Sequence, residues 1–187
     1  MSNIENQPVA EICGPDHLCL FYTSSAEQLA AVIPFIQTGL KRGERCVYIA
    51  DENPGAMIEA LQAGGISAED AIRVGALTVQ TKWDTYLRNG TFDPQAMLQY
   101  LQVQVGAARA AGFGALRVTG EVNWIQTTLD VASFLEYEAK LNEIIPETGL
   151  LGMCQYHRDR VRPEMFLGIL DTHLRIVEKD GVNQIWC

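Results

Sequence analysis

The sequence predicts an α/β protein built on one mostly parallel sheet with helices on both faces. Short apolar runs of strand length alternate with longer segments of helical period, which is the pattern of strands joined by helical crossovers. The runs show little polar alternation, as expected for strands buried on both faces. Near the end of the chain, Asp180-Gly181 separates two short runs and predicts a β-hairpin. We therefore expect a three-layer domain with a C-terminal hairpin.

Composition argues against several classes of protein. The chain has 187 residues, enough for one domain with its own core. Its net charge of −9 argues against direct nucleic-acid binding, which requires clustered lysine and arginine. No apolar run reaches the ~18 residues of a membrane span, and no signal peptide begins the chain. We expect a cytoplasmic protein that does not enter a membrane.

Glycine, proline and capping residues divide the chain into elements. Ser24 with Glu27 predicts a capping box at the start of the first helix. Pro34 predicts a kink or a later start for that helix, and Pro146 predicts the end of the helix that begins near Asp130. The predicted strands are residues 17–22, 45–50, 76–81, 115–119 and 150–156. The predicted helical segments are residues 25–42, 54–63, 67–74, 82–89, 94–111, 130–145 and 163–171.

The domain organisation is predicted to be simple. Residues 1–16 are polar and without period, so we expect a flexible N-terminal arm. Residues 17–187 are expected to form a single domain that includes the hairpin at 175–186. An isolated hairpin is marginal and an unpaired edge can bind another chain, so this hairpin is predicted to form a homodimer interface. The alternative is that it extends its own sheet.

The five cysteines are predicted to be free thiols. Cys19, Cys46 and Cys154 lie within apolar runs, where cysteine usually behaves as a small buried hydrophobic residue. Cys13 and Cys187 are expected to be exposed. An odd number of cysteines also agrees with a reducing compartment.

A candidate ligand site lies at four predicted strand ends. In an open α/β sheet, ligands bind beyond the carboxyl ends of the strands. Aromatic rings there would supply apolar walls, and carboxylates would hydrogen-bond the polar end of a ligand. The structural alternative is that Glu121 caps a helix and that Trp124 packs in the core. The nine candidate residues are Tyr22, Thr23, Asp51, Glu52, Glu121, Asn123, Trp124, Tyr156 and His157.

Conventional nucleotide chemistry is not supported by these residues. A phosphate-binding loop needs glycines and a lysine where the first strand meets the first helix. The segment there reads FYTSSAE at 21–27, without glycine or lysine. No cofactor and no metal are predicted, because His17-x-Cys19 and Cys154-x-x-His157 fall short of the four ligands of a structural zinc site.

Several motifs, taken in order, resemble the MEDS domain, a sensory domain named for methanogens, methylotrophs and the DcmR regulator. They are HLCLFY at 17–22, GERCVYIADE at 43–52, YLRNGTFD at 86–93, GFGALRVTGE at 112–121 with Trp124, EYE at 136–138 and CQY at 154–156. The resemblance covers roughly residues 17–176. That family is similar in turn to the RecA/KaiC-type ATPases. The strand ending at Glu121 looks like their Walker B strand, although Thr119-Gly120-Glu121 replaces the usual aspartate.

The resemblance implies a degenerate RecA/KaiC-like fold that senses a small molecule, proposed for the family as a hydrocarbon-derived or one-carbon compound. Family members are often fused to a DNA-binding or kinase domain. The 187 residues leave no room for either, so a separate kinase or transcription factor is the expected partner. Two alternatives stay open: an enzyme with residual nucleotide binding or hydrolysis, and a pure protein-interaction module.

Overall fold

The computed structural model describes residues 7–125, 127–173, 175–178 and 181–184. Its sheet has seven strands in the order β3-β2-β4-β5-β1-β6-β7. The strands are β1 (Asp16–Tyr22), β2 (Arg45–Ala50), β3 (Leu77–Thr81), β4 (Leu116–Glu121), β5 (Leu150–His157), β6 (Arg175–Glu178) and β7 (Gly181–Gln184). All neighbouring strands are parallel except β6 and β7. The predicted α/β fold with a C-terminal hairpin is confirmed.

In the described part of the chain, six α-helices connect and cover the strands. They are α1 (Ser25–Lys41), α2 (Pro54–Ala63), α3 (Ala68–Arg73), α4 (Pro94–Ala110), α5 (Thr128–Thr148) and α6 (Pro163–Thr172). Apolar residues of α1, α2 and α3 form one core with one face of the sheet, and those of α4, α5 and α6 form a second core with the other face. Within the described residues, no helix combines the length and apolar character needed to cross a membrane.

Two predictions from the internal prolines are wrong, namely the later start of the first helix and the end of the fifth helix at Pro146. The alternative of a kink at Pro34 stays a prediction. Helix α1 starts at Ser25, as the Ser24 cap predicts, and continues past Pro34. Helix α5 continues past Pro146 to Thr148 and ends at Gly149, which has a left-handed conformation. A proline removes one backbone donor, and the apolar contacts of these long helices with the sheet outweigh that loss.

The predicted helical segment at 82–89 is also wrong. These residues form consecutive turns instead. The Asp84 carboxylate accepts hydrogen bonds from the Thr81 backbone N–H and hydroxyl group at 2.8 and 2.7 Å. The Leu87 N–H donates to the Lys82 carbonyl, five residues back. These local contacts replace the regular hydrogen bonds of an α-helix.

Part of the predicted N-terminal arm belongs to the packed domain. Val9 and Ile12 are buried in the core beneath α1, and the Ile12 carbonyl accepts a hydrogen bond from Arg117 at 3.0 Å. The prediction of a flexible arm is therefore wrong for residues 9–12, because burial of two apolar side chains holds them in place. Residues 1–6 lie outside the described part of the chain.

The C-terminal hairpin extends the sheet of its own chain, which is the alternative that the sequence left open. Strand β6 pairs with β1, and β7 pairs with β6 across residues 179–180. Among the described strands, β7 forms one edge of the sheet. Residues 185–187, including Trp186, lie outside the described residues. A homodimer through this edge stays a prediction.

Cysteine exposure gives a direct test of this packing. Cys19, Cys46 and Cys154 are buried and Cys13 is exposed, as predicted; Cys187 lies outside the described residues. A thiol reagent should therefore label Cys13 at least about 100-fold faster than the three buried thiols, because labelling of those requires opening of the fold. Mass spectrometry of peptides after timed labelling measures the rates. Equally fast labelling of Cys154 in the native protein would contradict this packing.

Candidate functional site

The carboxyl ends of β2, β4, β5 and β1 are adjacent, as the sequence predicts. Side chains alternate between the two faces of each strand, however, so the nine candidate residues do not form one group. Tyr22, Glu121 and Asn123 lie with the residues that face α1 and α2. Trp124 and Tyr156 belong to the core on the opposite face. The structure therefore divides the candidate site in two.

Glu121 lies in a hydrogen-bond network on the α1 side of the sheet. The Tyr48 hydroxyl donates to its Oε1 at 2.5 Å. The Gln28 amide nitrogen donates to that Tyr48 oxygen at 3.2 Å and to Gln155 Oε1 at 2.9 Å. Gln155 in turn donates to Thr119 Oγ1 at 2.7 Å. Gln28 and Tyr48 are not among the nine candidate residues, although Tyr48 lies inside a predicted strand.

Tyr22, Asn123 and His157 form a second contact group at the same edge. The Asn123 side-chain amide donates to the Tyr22 hydroxyl oxygen at 3.1 Å, and its carbonyl accepts the His157 backbone N–H at 3.2 Å. The Tyr22 and His157 rings meet edge to face, with centroids 5.2 Å apart. Burial raises the pKa of Tyr22 to about 12, so the phenol stays a neutral hydrogen-bonding group.

Asp51 and Glu52, at the end of β2, are paired with Lys82, which is not among the nine candidate residues. Lys82 Nζ donates to Asp51 Oδ1 at 2.7 Å and also contacts Glu52. Burial lowers the pKa of Lys82, but the hydrogen bonds and charges of the two carboxylates outweigh burial and raise it. Arg160 lies 3.7 Å from the other Asp51 oxygen. The negative charges of these two carboxylates are therefore balanced by basic side chains of the protein itself.

The turn between β1 and α1 is closed by its own carboxylate. Glu27 Oε2 accepts hydrogen bonds from both the backbone N–H and the hydroxyl group of Thr23, each at 2.8 Å. The Ser24 hydroxyl caps the helix by accepting the Glu27 N–H at 3.3 Å. The hydrogen bonds from Thr23 lower the pKa of Glu27. The Glu27 carboxylate therefore lies at the N-terminus of α1, where a phosphate group would bind.

Trp124 and Tyr156 are core residues on the other face. The Trp124 ring centroid lies 5.0 to 5.8 Å from those of Tyr86, Phe92 and Phe134. Tyr156 is fully buried and donates its hydroxyl hydrogen to the Glu138 carboxylate at 3.1 Å. In this structure Trp124 therefore packs in the core, which is the structural alternative that its sequence position left open.

Glu138 is the centre of a buried cluster that the sequence analysis did not assemble. Its carboxylate lies within hydrogen-bonding or ionic distance of His17, Cys154 and His173. Their potential metal-ligand atoms all lie within 4.8 Å of one another. One signal in the sequence was available, because Glu138 falls in the apolar stripe of α5 with Phe134 and is a charged residue at a core position.

A pocket of about 380 Å³ opens at the carboxyl ends of β1 and β5. Its walls are mostly apolar, and Arg158 lies at its rim with its guanidinium group 5.6 Å from the centre of the Phe21 ring. It is lined by Phe21, Arg158, Val161, Arg162, Pro163 and Phe166. A larger, polar groove of about 860 Å³ lies between residues 80–93 and α4. Neither this groove nor the smaller pocket is lined by any of the nine candidate residues.

Glu121 gives a pH-dependent test of the network. Burial raises the pKa of its carboxyl group above the ordinary value of 4.5. Its folded-state pKa therefore exceeds its unfolded one, so the wild type loses stability as the pH rises through the raised pKa. Glu121→Gln cannot ionise and keeps an oxygen for Tyr48. We expect the variant to be more stable than the wild type at neutral pH and to lose this advantage below pH 4.5. Urea unfolding over a pH series measures the difference, and a pH-independent difference would contradict it.

The fold is that of KaiC-like proteins. A crystal structure of a KaiC-like protein from the hyperthermophilic archaeon Pyrococcus horikoshii OT3 superimposes with a TM-score of 0.61 at 15% identity, covering 86% of this chain and 70% of that one. The chain belongs to the MEDS family, the methanogen/methylotroph, DcmR sensory domain, whose model matches residues 16–174.

A curated relative agrees with this family. The transcriptional repressor DcmR of Methylorubrum extorquens is 27% identical over 166 residues, which is 87% of this chain. The match spans 58% of the length of the repressor. The resemblance that the sequence motifs predict is therefore confirmed, and a sensory or regulatory role follows from the family.

Proposed function

We propose that this chain is a non-catalytic sensor that binds a small organic anion with a short apolar body at the carboxyl edge of the sheet. The pocket lined by Phe21 and Phe166 carries this proposal, since it lies at the strand ends where ligands bind in open α/β sheets. Its apolar walls suit a short hydrocarbon body. The Arg158 guanidinium group at its rim suits a carboxylate.

The adjacent polar residues would couple the pocket to the rest of the sheet. Phe21 immediately precedes Tyr22, and Arg158 immediately follows His157. The Arg158 backbone N–H also donates to the Tyr22 carbonyl at 2.8 Å. A ligand that moves Arg158 would therefore perturb the Tyr22–Asn123–His157 group. In this proposal Tyr22, Thr23, Asn123 and His157 act on the pocket only through Phe21 and Arg158, and Glu121 and Asp51 do not line it.

A nucleotide-hydrolysing enzyme is the competing function, favoured by the KaiC-like fold alone. The Glu27 carboxylate argues against nucleotide binding. This carboxylate accepts both hydrogen bonds from Thr23 at the β1–α1 turn and would repel a phosphate group. A pure interaction module is the other alternative, and it would not need a pocket at the strand ends.

Titration calorimetry with a series from formate to hexanoate tests the proposal. We expect at least one of these carboxylates to bind, and Arg158→Gln to weaken its binding about tenfold, the loss of roughly one charge-assisted hydrogen bond. Arg88→Gln is the matched control, since Arg88 is exposed and lies in the other groove. Absence of binding across the series, or equal weakening by both substitutions, would refute a carboxylate site in this pocket.

The regulatory output is proposed by analogy with the repressor relative. We infer that ligand binding is communicated to a transcription factor or kinase, and that two chains associate through β7, because this strand forms one edge of the sheet among the described strands and an edge strand can pair with another chain. Sedimentation of the chain with and without residues 174–187 tests the association. Folded monomers in both cases would exclude this edge as an interface.

A further inference from the structure

The cluster of His17, Glu138, Cys154 and His173 is one of the most deeply buried polar groups in the described chain. The relative exposures of its members are 5%, 0%, 6% and 0%. They come from four places in the fold: β1, α5, β5 and the residue after α6. An unpaired charge at such a position is costly. The donor or acceptor role of each atom therefore decides whether the charges of the cluster are balanced.

The tautomer of His17 follows from its neighbour Asn142. The Asn142 amide nitrogen donates to the Thr172 carbonyl at 2.7 Å, which orients the amide and directs its oxygen toward His17 Nδ1 at 2.9 Å. Because that oxygen can only accept, His17 Nδ1 carries a hydrogen. In the neutral imidazole, the Nε2 lone pair then faces Cys154 Sγ at 3.7 Å and Glu138 Oε2 at 3.4 Å.

His173 is oriented in the same way. Its Nδ1 lies 2.8 Å from the Ile169 carbonyl, an acceptor, and so carries a hydrogen. In the neutral ring its Nε2 then carries a lone pair, as in His17. Its Nε2 lies 3.0 Å from Glu138 Oε2 yet makes no hydrogen bond to any described residue. Two imidazole lone pairs and a carboxylate thus converge on one buried point.

The spacing of these atoms approaches that of a tetrahedral metal site. Zinc bonds of about 2.0 Å to nitrogen and oxygen and about 2.3 Å to sulfur place neighbouring ligand atoms about 3.3 to 3.6 Å apart. The observed separations are 3.4 Å for His17–Glu138, 3.0 Å for His173–Glu138, 3.3 Å for Cys154–Glu138 and 3.7 Å for Cys154–His17. The Cys154 distance is to Glu138 Oε1 and the two histidine distances are to Oε2. All four ligand atoms lie within 4.8 Å of one another, so closing the wider pairs by on the order of 1 Å would bring them around one ion.

We propose that His17 Nε2, His173 Nε2, Cys154 Sγ and the Glu138 carboxylate bind one divalent transition metal ion, with zinc as the best match. Cys154 would bind as a thiolate, and its proton would pass to solvent. Asn142 and the Ile169 carbonyl hold the two imidazoles from behind, as acceptors do for metal-bound histidines. The ion would join α5 and the end of α6 to the centre of the sheet.

The site is of the closed, structural kind. Four protein ligands complete a tetrahedron and leave no open position. The cavity beside His17 and Cys154 has a volume of only about 20 Å³, which is room for about one water molecule. This inference is independent of the carboxylate pocket, which lies at the strand ends.

Metal analysis of the wild-type chain, purified without a metal-affinity step, tests the proposal. We expect about one zinc ion per chain by inductively coupled plasma mass spectrometry. After exchange with Co²⁺, a thiolate-to-cobalt charge-transfer band and intense visible bands of tetrahedral cobalt are expected. A wild-type chain that neither retains zinc nor gives these bands would overturn the proposal, whatever the variants do.

Matched substitutions locate the ion. Cys154→Ser should abolish the charge-transfer band, and His173→Gln should reduce metal retention at least about tenfold. Cys46→Ser and His157→Gln are the controls, because Cys46 is a buried thiol in the opposite core and His157 lies at the strand ends. Loss of metal in either control, with retention in Cys154→Ser, would place the ion elsewhere and refute the assignment. If Cys154→Ser fails to fold, the cobalt spectrum of the wild type decides.

Discussion

Trp124→Ala is expected to lower the free energy of unfolding by about 3–5 kcal/mol, because it removes a large side chain from a closely packed core. Trp124 is 7% exposed and contacts the rings of Tyr86, Phe92 and Phe134. For a chain of this length, such a loss corresponds to a melting temperature lower by on the order of 10 °C. Chemical denaturation of the wild type and the variant measures it.

Trp83→Ala is the matched control, since Trp83 is 55% exposed. Its substitution should change the stability by less than about 0.5 kcal/mol. The comparison also tests the role of Trp124, because substitution of a ligand-facing tryptophan would weaken ligand binding rather than lower the free energy of unfolding. If the two substitutions destabilise the protein equally little, the aromatic core described above is wrong.

Arg117→Met is expected to lower the free energy of unfolding by about 3 kcal/mol, near the lower end of the range for breaking a buried ion pair. Arg117 is 1% exposed, and its guanidinium group contacts Glu44 and donates to the Phe35 and Ile12 carbonyls at 3.3 and 3.0 Å. The loss of stability is moderated because Glu44 stays paired with Arg42, whose Nε lies 2.9 Å from Glu44 Oε1.

Two further variants separate the ion pair from the bulk of the side chain. Arg88→Met, at an exposed position, should be within about 0.5 kcal/mol of the wild type. The double variant Arg117→Met with Glu44→Leu should recover part of the loss, because it removes the carboxylate that the single substitution leaves partly uncompensated. Equal stability of Arg117→Met and Arg88→Met, measured by urea unfolding, would contradict the buried pair.

Sequence patterns predict the sheet well because strands and helices are local features. Residues 17–22 and 45–50 are continuous apolar runs, and both are strands in the structure. The adjacency of Tyr22, Glu121 and Asn123 also follows from the sequence, since parallel strands bring their carboxyl ends to one edge. That part of the candidate site required only the order of the elements.

The remaining features depend on which face a side chain occupies and on distant partners. Trp124 and Glu121 are three residues apart, yet the first lies in the α4–α6 core and the second contacts Tyr48 on the opposite face. Lys82 reaches Asp51 only because β3 pairs with β2. His17 and His173 are separated by almost the whole chain, and only the pairing of β1 with β5 and the position of α6 bring both to Glu138. No local pattern contains that information.

Titration calorimetry of the intact wild-type chain with Mg·ATP tests the central proposal most directly, namely that this chain is a non-catalytic sensor that does not bind nucleotide. We predict no heat of binding and no phosphate release, because the Glu27 carboxylate occupies the Thr23 donors at the β1–α1 turn. Saturable binding of Mg·ATP, followed by turnover that Glu121→Gln abolishes, would contradict the account.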